Sequence, residues 1–477
     1  MCRSGPFGGC RYDITRERGL GVGQGNSGMA RHKLRNSLLV ALLAGAAGHV
    51  AFADEAAGLR EEVARRAQAL EGELIERRRD VHAHPELGNQ ETRTAQLVTD
   101  HLRRLGMEVR TGVARTGVVG VLRGGRPGPV VALRADMDAL PVKETLDLPF
   151  ASKVKGTYLG REVDVMHACG HDSHVAILMT AAEILAGLRD RLPGTVAFYF
   201  QPAEEGPSDF VPDGSNTWGA KMMVQEGVMD EPRPEAVFGL HAWAGVPAGR
   251  IAYRPGPTLA SSDDLRIRVT GKQTHAGRPW DGVDPIVVSA QALLGLQTVI
   301  SRQTDITETP SVVSIGTING GTRYNIIPEA VEMTGTIRSY DHGIRRGVHE
   351  RVRRTVGGIA ESAGAKAEVT IVEKYDPTIN DEVLTERMLP TLRWATDGDA
   401  VRSPLVGAAE DFSFFAKEVP GFFFFLGITP RDQDMAEAAP NHNPGFFLDE
   451  SALAVGVRAL AGVAVDYLSG GPRQASR

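Results

Sequence analysis

Four short runs, Gly117–Leu122, Pro129–Leu133, Thr195–Phe200 and Ala236–Leu240, are apolar at almost every position. A strand with one wet face alternates polar and apolar residues, whereas a strand apolar throughout must be covered on both faces. Helical patterns surround these runs: residues 56–105 carry Leu59, Val63, Leu70, Leu74, Ala95, Leu97, Leu102 and Leu105 between charges, and 175–188 forms another helical stretch. The expected architecture is therefore α/β, with a mixed sheet flanked by helices and its functional residues at strand ends.

The pattern changes between residues 261 and 375 to strand 265–269, helix 285–301, strands 312–318 and 330–337, helix 344–363 and strand 366–372. This βαββαβ order is that of a ferredoxin-like unit. Its second helix sets Ile344, Val348, Val352, Val356 and Ile359 on one stripe, with Arg345 and Arg346 off it. We read it as an inserted domain: 56–260 and 376–470 form the two parts of the main domain, and a helix at 383–394, the run Phe422–Leu426 and a helix at 451–468 rejoin the first part.

Residues 29–53 read as an export signal. Basic residues from Arg31 to Arg35 precede an apolar stretch too short to span a bilayer, and Ala51-Phe-Ala53 is followed by Asp54-Glu55. The Gly-rich segment 1–28 reads as an over-extended start ahead of Met29, so 1–53 is a leader and the product is periplasmic or secreted, with no membrane association after cleavage. Its removal takes 7 of 53 Lys+Arg and 2 of 59 Asp+Glu, leaving 46 against 57 and a net charge of −11. Such an acidic chain offers no general attraction to nucleic acid. Cys2 and Cys10 leave with the leader, so Cys169 stands alone in a disulfide-forming compartment and cannot form an internal bridge.

Cys169 lies in His167-Ala-Cys-Gly-His171-Asp172-Ser-His174, where thiolate, imidazole and carboxylate crowd together at the start of a helix. Sulfur and nitrogen donors suit Zn²⁺ or a similar divalent ion, while a nucleophilic Cys with a neighbouring His is the alternative. Glu204 and Glu205 end an apolar strand in Gln201-Pro-Ala-Glu-Glu-Gly206. Adjacent side chains there diverge, so one carboxylate can bind metal while the other serves as general base; a pair of solvated loop acids is the plainer reading. His241 ends the next strand and His442 sits in the turn Pro440–Pro444, each by itself as readily structural as metal-binding.

Taken together, these residues resemble the M20 metallopeptidases, in particular the amidohydrolase branch with the hippurate, N-acyl-amino-acid and indole-acetyl-amino-acid hydrolases. The resemblance runs from about Arg77 to the C-terminal helix. It rests on Arg78-Arg-Asp-Val-His-Ala-His-Pro-Glu-Leu87, Leu133-Arg-Ala-Asp-Met-Asp-Ala-Leu-Pro141, His167–Asp172, Gln201–Gly206, Gly239-Leu-His241, Gly282-Val-Asp-Pro-Ile286 and Glu410-Asp-Phe412. It implies two divalent ions, of Zn, Mn, Co or Ni, held by Cys169, His171, Glu205, His241 and His442, with Glu204 as general base and acid. Other branches place a metal-binding His where Arg134 stands; Arg cannot ligate, and Asp136 would orient a ligand.

The implied reaction is hydrolysis of the amide bond of an N-acyl amino acid, with an M20-type dipeptidase or carboxypeptidase acting on short peptides as the alternative. A metal-bound thiolate is not free to attack carbon, which disfavours covalent catalysis by Cys169. The inserted unit resembles the family's lid and dimerisation domain, which implies a homodimer or dimer-based oligomer. By the same resemblance His275 would approach the scissile carbonyl, often from a partner subunit, although Gln273-Thr274 replaces the usual Gly-Gly before it. Asn325 and Arg338 would bind substrate, the guanidinium suiting a carboxylate. The segment 207–219, with Phe210 and Trp218, is longer than the resemblance leads one to expect, and would form either an acyl-pocket wall or a surface loop.

Overall fold

The computed structural model describes residues 55–210 and 217–470; the leader assigned to 1–53 and the middle of the 207–219 segment lie outside the described residues. The apolar runs assemble into one eight-stranded mixed sheet. Its order is Glu108–Val113, Gly117–Arg123, Pro193–Gln201, Arg126–Asp136, Ala236–Pro247, Gly421–Thr429, Ile251–Tyr253 and Ala400–Arg402. The four strands from Pro193–Gln201 to Gly421–Thr429 run parallel to one another, so their C-terminal ends open on the same edge.

Both faces are covered, as uniformly apolar strands require. Alternation distributes the phenylalanines: Phe422 and Phe424 pack with the helices Glu71–Ala83, His171–Ala186 and Leu453–Ser469, while Phe423 and Phe425 point to the opposite layer with Phe412 and Phe415. The helical stretch expected over 56–105 is broken at 84–91, where Pro85 withdraws a backbone donor and Asn89 adopts a positive φ of 65°. The strand Glu108–Val113 escaped the sequence reading because it lies at the sheet margin and is mostly exposed.

The segment 261–375 contains a separate four-stranded antiparallel sheet, ordered Ser311–Gly320, Ala330–Ser339, Ser262–Thr270 and Lys366–Tyr375. Helices Pro285–Gln303 and His342–Ser362 cover it, with a core of its own around Leu265, Ile267, Leu296, Val348, Val352 and Val356. One residue placed on the solvent side of the second helix is instead buried. Arg345 is 2% exposed and pairs with Asp263 and, at 2.5 Å, with Asp376, while His349 Nε2 lies 2.7 Å from Asp263 Oδ2. The hydrophobic stripe could not reveal this, because the partners Asp263 and Asp376 belong to the two crossings between the sheets.

His101, on helix Thr92–Arg104, illustrates how burial couples stability to pH. Its Nε2–H donates to Met179 O at 2.9 Å, and burial, aided by Arg77, lowers its pKa from 6.5 to about 4. The unfolded chain therefore binds a proton that the folded chain refuses between these values, so this contribution is complete above pH 6.5 and is lost as pH falls toward 4. Denaturant midpoints measured at pH 7 and pH 5 should drop less for His101→Gln than for the parent.

Candidate metal centre and active site

The strand Ala236–Pro247, which carries His241 within it, and loops at the same edge of the sheet bring Cys169, His171, Glu204, Glu205, His241 and His442 together from four separate stretches of chain. Cys169 Sγ lies 3.5 Å from His241 Nε2 and 3.2 Å from His442 Nε2. Ligand atoms of Cys169, His171 and His241 lie within 4.8 Å of one another, as do those of Cys169, Glu205 and His442, and those of His171, Glu204 and Glu205. Gly170 allows the crowding: at φ 90° it turns the chain between Cys169 and the helix His171–Ala186, and a Cβ there would press on Ala242.

Two of the three imidazoles are presented with one nitrogen committed. His171 Nδ1 donates to Asp138 O and His241 Nδ1 to Ala242 O, both at 2.8 Å, which leaves Nε2 of each ring with a free lone pair directed at the cluster. His171 Nε2 and Glu205 Oε1 are buried without a hydrogen bond, although Glu205 Oε1 is 2.8 Å from His442 Nε2. Acceptors that face one another without hydrogen-bond geometry fit a shared cation. The electrostatics agree: contacts with Cys169 and Glu205 push His442 up to about 10, so this point of the cluster favours positive charge. Thiolate, imidazole and carboxylate together are the donor set of borderline divalent ions.

Glu204 and Glu205 stand on a tightly held loop. Asp138 accepts both backbone amides, from Glu204 N at 3.0 Å and Glu205 N at 2.9 Å. Ala203, at φ 49°, donates its amide to Glu91 Oε1 at 2.7 Å, and burial, reinforced by Asp138, raises Glu91 to about 8. The Glu204 side chain turns toward Glu410 and Asp411, where burial and then the charges of Glu410, Glu205 and Asp411 hold its carboxyl well above the usual range. These acids are accommodated by Arg134, whose guanidinium reaches Asp136 at 2.7 Å, Glu410 at 2.8 Å, Asp411 at 3.0 Å and Gln201 at 2.8 Å.

Asp136 lies 3.7 Å from His171 Nε2, but its short contacts are with Arg134 and, at 2.5 Å, His174 Nδ1; the outer nitrogen of the His171 ring donates to the backbone carbonyl of Asp138. A cavity of about 420 Å³ opens on the cluster, and Arg338, Ser262 and Tyr375 line it from the second sheet alongside Glu204, Glu205, His241 and Trp243. His275 and Asn325 are not among its lining residues. His275 ends the short strand Thr274–His275 and is exposed, while Asn325 immediately precedes the partner strand Ile326–Ile327 and accepts from Ala276 N at 3.1 Å. Phe210 and Trp218 are also absent from that lining and instead flank a neighbouring cavity of about 30 Å³. Arg134, Asp138, Glu410 and Asp411 stand in the recognised motifs and Glu91 in none, but their roles are not legible there because their partners lie far away in sequence.

A sheet-edge cluster of one thiol, three imidazoles and paired carboxylates, beneath a second domain that supplies a cation, defines a metal-dependent hydrolase. The family model described as peptidase family M20/M25/M40 matches residues 132–466. The chain belongs to this family, whose members hydrolyse amides and peptides. It is similar to "Thermostable carboxypeptidase 1" of Saccharolobus solfataricus, 42% identical over 83% of this chain and 96% of the relative. "N-acetylcysteine deacetylase" of Bacillus subtilis is 37% identical over 84% and 98%. The crystal structure of the Bacillus subtilis YXEP protein, titled a dinuclear metal binding peptidase from the M20 family, aligns with TM-score 0.69 and 34% identity over 84% of this chain and 99% of that one.

Gly88 packs against the catalytic loop so closely that a Cβ would overlap the Gly206 carbonyl oxygen and come within 3.2 Å of Ala203 Cα. Gly88→Ala should displace this loop, lowering kcat/KM by about tenfold or more while the circular dichroism spectrum is unchanged. A rate equal to the parent's would show that the loop does not transmit the displacement.

Proposed function

We propose that the protein hydrolyses the amide bond of N-acyl amino acids. The observation that carries this reading is Arg338: half-buried, it lines the same cavity as Glu204 and the ligand cluster, and among the described residues its guanidinium makes no hydrogen bond or ion pair. A guanidinium kept partly dry and unpaired is a binding group for a carboxylate. Trp243, Leu259 and Tyr375 give the same cavity apolar surface for an acyl group.

In this reading Cys169, His171 and His241 would hold one divalent ion, and Cys169, Glu205 and His442 a second. Such ions, when bound, supply Lewis acidity that makes water a nucleophile near neutral pH. Glu204 takes the proton as water adds to the carbonyl carbon and delivers it to the nitrogen as the C–N bond breaks. Its raised pKa suits both halves of this task, and Glu410 and Asp411 at its side favour the protonated form. Asp138 fixes His171 and the loop amides, whereas Asp136 ties Arg134 and His174 behind the cluster.

The similarity to a named carboxypeptidase favours a second reading in which Arg338 holds the C-terminal carboxylate of a short peptide. Relative rates on hippurate-type conjugates and on unblocked dipeptides separate the two. We further propose that the second domain pairs with another copy of the chain, supported by the exposed Ile286, Val287, Leu294, Val312 and Ile318 on one helix and the marginal strand Ser311–Gly320. His275 and Asn325 would then act toward a partner's site. Export through residues 29–53 rests on the sequence pattern, and amino-terminal sequencing of the protein recovered from its host tests it.

Arg338→Ala should raise KM for an N-acyl amino acid about ten- to a hundredfold while leaving KM for the corresponding amide unchanged. An unchanged KM for the acid removes the carboxylate anchor. Chelation should abolish turnover, with restoration by Zn²⁺, Mn²⁺, Co²⁺ or Ni²⁺ identifying the competent ions. Glu204→Ala should keep the metal content and lose about a thousandfold in kcat.

A further inference from the structure

Tyr375 is the last residue of strand Lys366–Tyr375, at the return crossing from the second sheet to the first. Its hydroxyl donates to the backbone carbonyl of Glu204 at 2.6 Å. That carbonyl belongs to the peptide unit joining Glu204 to Glu205, whose amide is already held from the other side by Asp138 at 2.9 Å. The peptide plane is thus gripped at both its polar atoms, and its orientation sets how the two carboxylates diverge. Only the Tyr375 grip originates outside the main domain's own loops. The next residue, Asp376, is pinned at 2.5 Å by Lys417 of helix Ser413–Glu418 and at 2.5 Å by Arg345 of helix His342–Ser362. The Tyr375 ring rests edge-on to Trp218 with centroids 6.4 Å apart. The tyrosine is therefore anchored to the joint between the two sheets while it holds the peptide behind the base.

We infer that Tyr375 is a positioning residue that ties the second domain to the Glu204 loop, so that the placement of that domain sets the aim of the general base. The inference rests on Glu204 acting as that base. The hydroxyl acts on the rate of proton transfer, because its bond is made to main chain, whereas the ring is what faces the cavity.

Tyr375→Phe keeps the ring against Trp218 and removes only the donor. Its kcat should fall about tenfold, with KM within twofold and metal content equal to the parent's. In a Glu204→Ala background the same change should leave the residual rate unaltered, because no base remains to be aimed. An unchanged kcat, an effect on KM alone, or an equal loss in both backgrounds would overturn the inference. Full activity of Glu204→Ala alone would instead overturn the assignment of the base, and the inference with it. Should Tyr375→Phe fold poorly, Trp218→Phe, which removes the indole beside the ring and leaves the hydroxyl's bond to the Glu204 carbonyl in place, provides the comparison: a fall in thermal stability with kcat retained supports the role of that bond, and the same loss of kcat overturns it.

Discussion

A single buried guanidinium makes this site possible. Arg134 projects from the middle of the parallel sheet and is about 1% exposed, with Asp136, Glu410, Asp411 and Gln201 around it. Burying several carboxylates in one place is prohibitive unless a cation and a full set of hydrogen bonds go with them. Arg134 supplies the charge, and its planar fork fixes the directions. Through it the Arg126–Asp136 strand, the end of the Pro193–Gln201 strand and the 410–411 turn are joined at one point. Gln201 extends the junction by donating its amide to both Asp411 oxygens at 2.8 Å, and Asp411 in turn accepts from Ala220 N at 2.8 Å.

The junction divides the acids of the site between two tasks. Against the cost of its burial, Arg134 holds Asp136 well below the usual carboxylate range, whereas burial holds Asp411 well above it despite Arg134; both act as framework, while Glu205 faces the imidazoles and Cys169. Glu204 lies between these groups, next to Glu410 and Asp411 yet making no ion pair with Arg134. Burial, and then the charges of Glu410, Glu205 and Asp411, keep its pKa raised. One loop thus carries two carboxylates in different surroundings, and Ala203 at φ 49° together with the Asp138 clamp fixes the backbone from which they diverge.

The second domain contributes to this chemistry with few residues. Arg338 and Tyr375 reach the cavity, whereas His275 and Asn325 lie elsewhere on the same domain. The buried ionic group Asp263, Arg345, Asp376 and His349 sits where both crossings meet, so the connection between the domains is polar and directional. Apolar contacts tolerate sliding, but ion pairs of this kind have a preferred geometry, which suits a domain whose side chains must arrive at defined atoms.

The sequence by itself determined the layered sheet, the inserted βαββαβ unit and the ligand types. Continuous apolar runs can only be interior strands, helical stripes declare their buried face, and Cys169, His171, Glu204 and Glu205 lie within short motifs whose residue types already announce metal and acid–base chemistry. The helix break at Pro85 and the mostly exposed strand Glu108–Val113 were less legible, since neither leaves an apolar periodic signal. What only the tertiary structure decided is pairing over distance: Arg134 with Glu410 and Asp411, Asp138 with the amides of Glu204 and Glu205, Arg345 with Asp263 and Asp376, and Tyr375 with the Glu204 carbonyl. A charged or hydroxyl side chain looks the same in sequence whether water or a buried partner satisfies it. The difference arises when folding removes the water, and only then does the partner's position determine what the residue does.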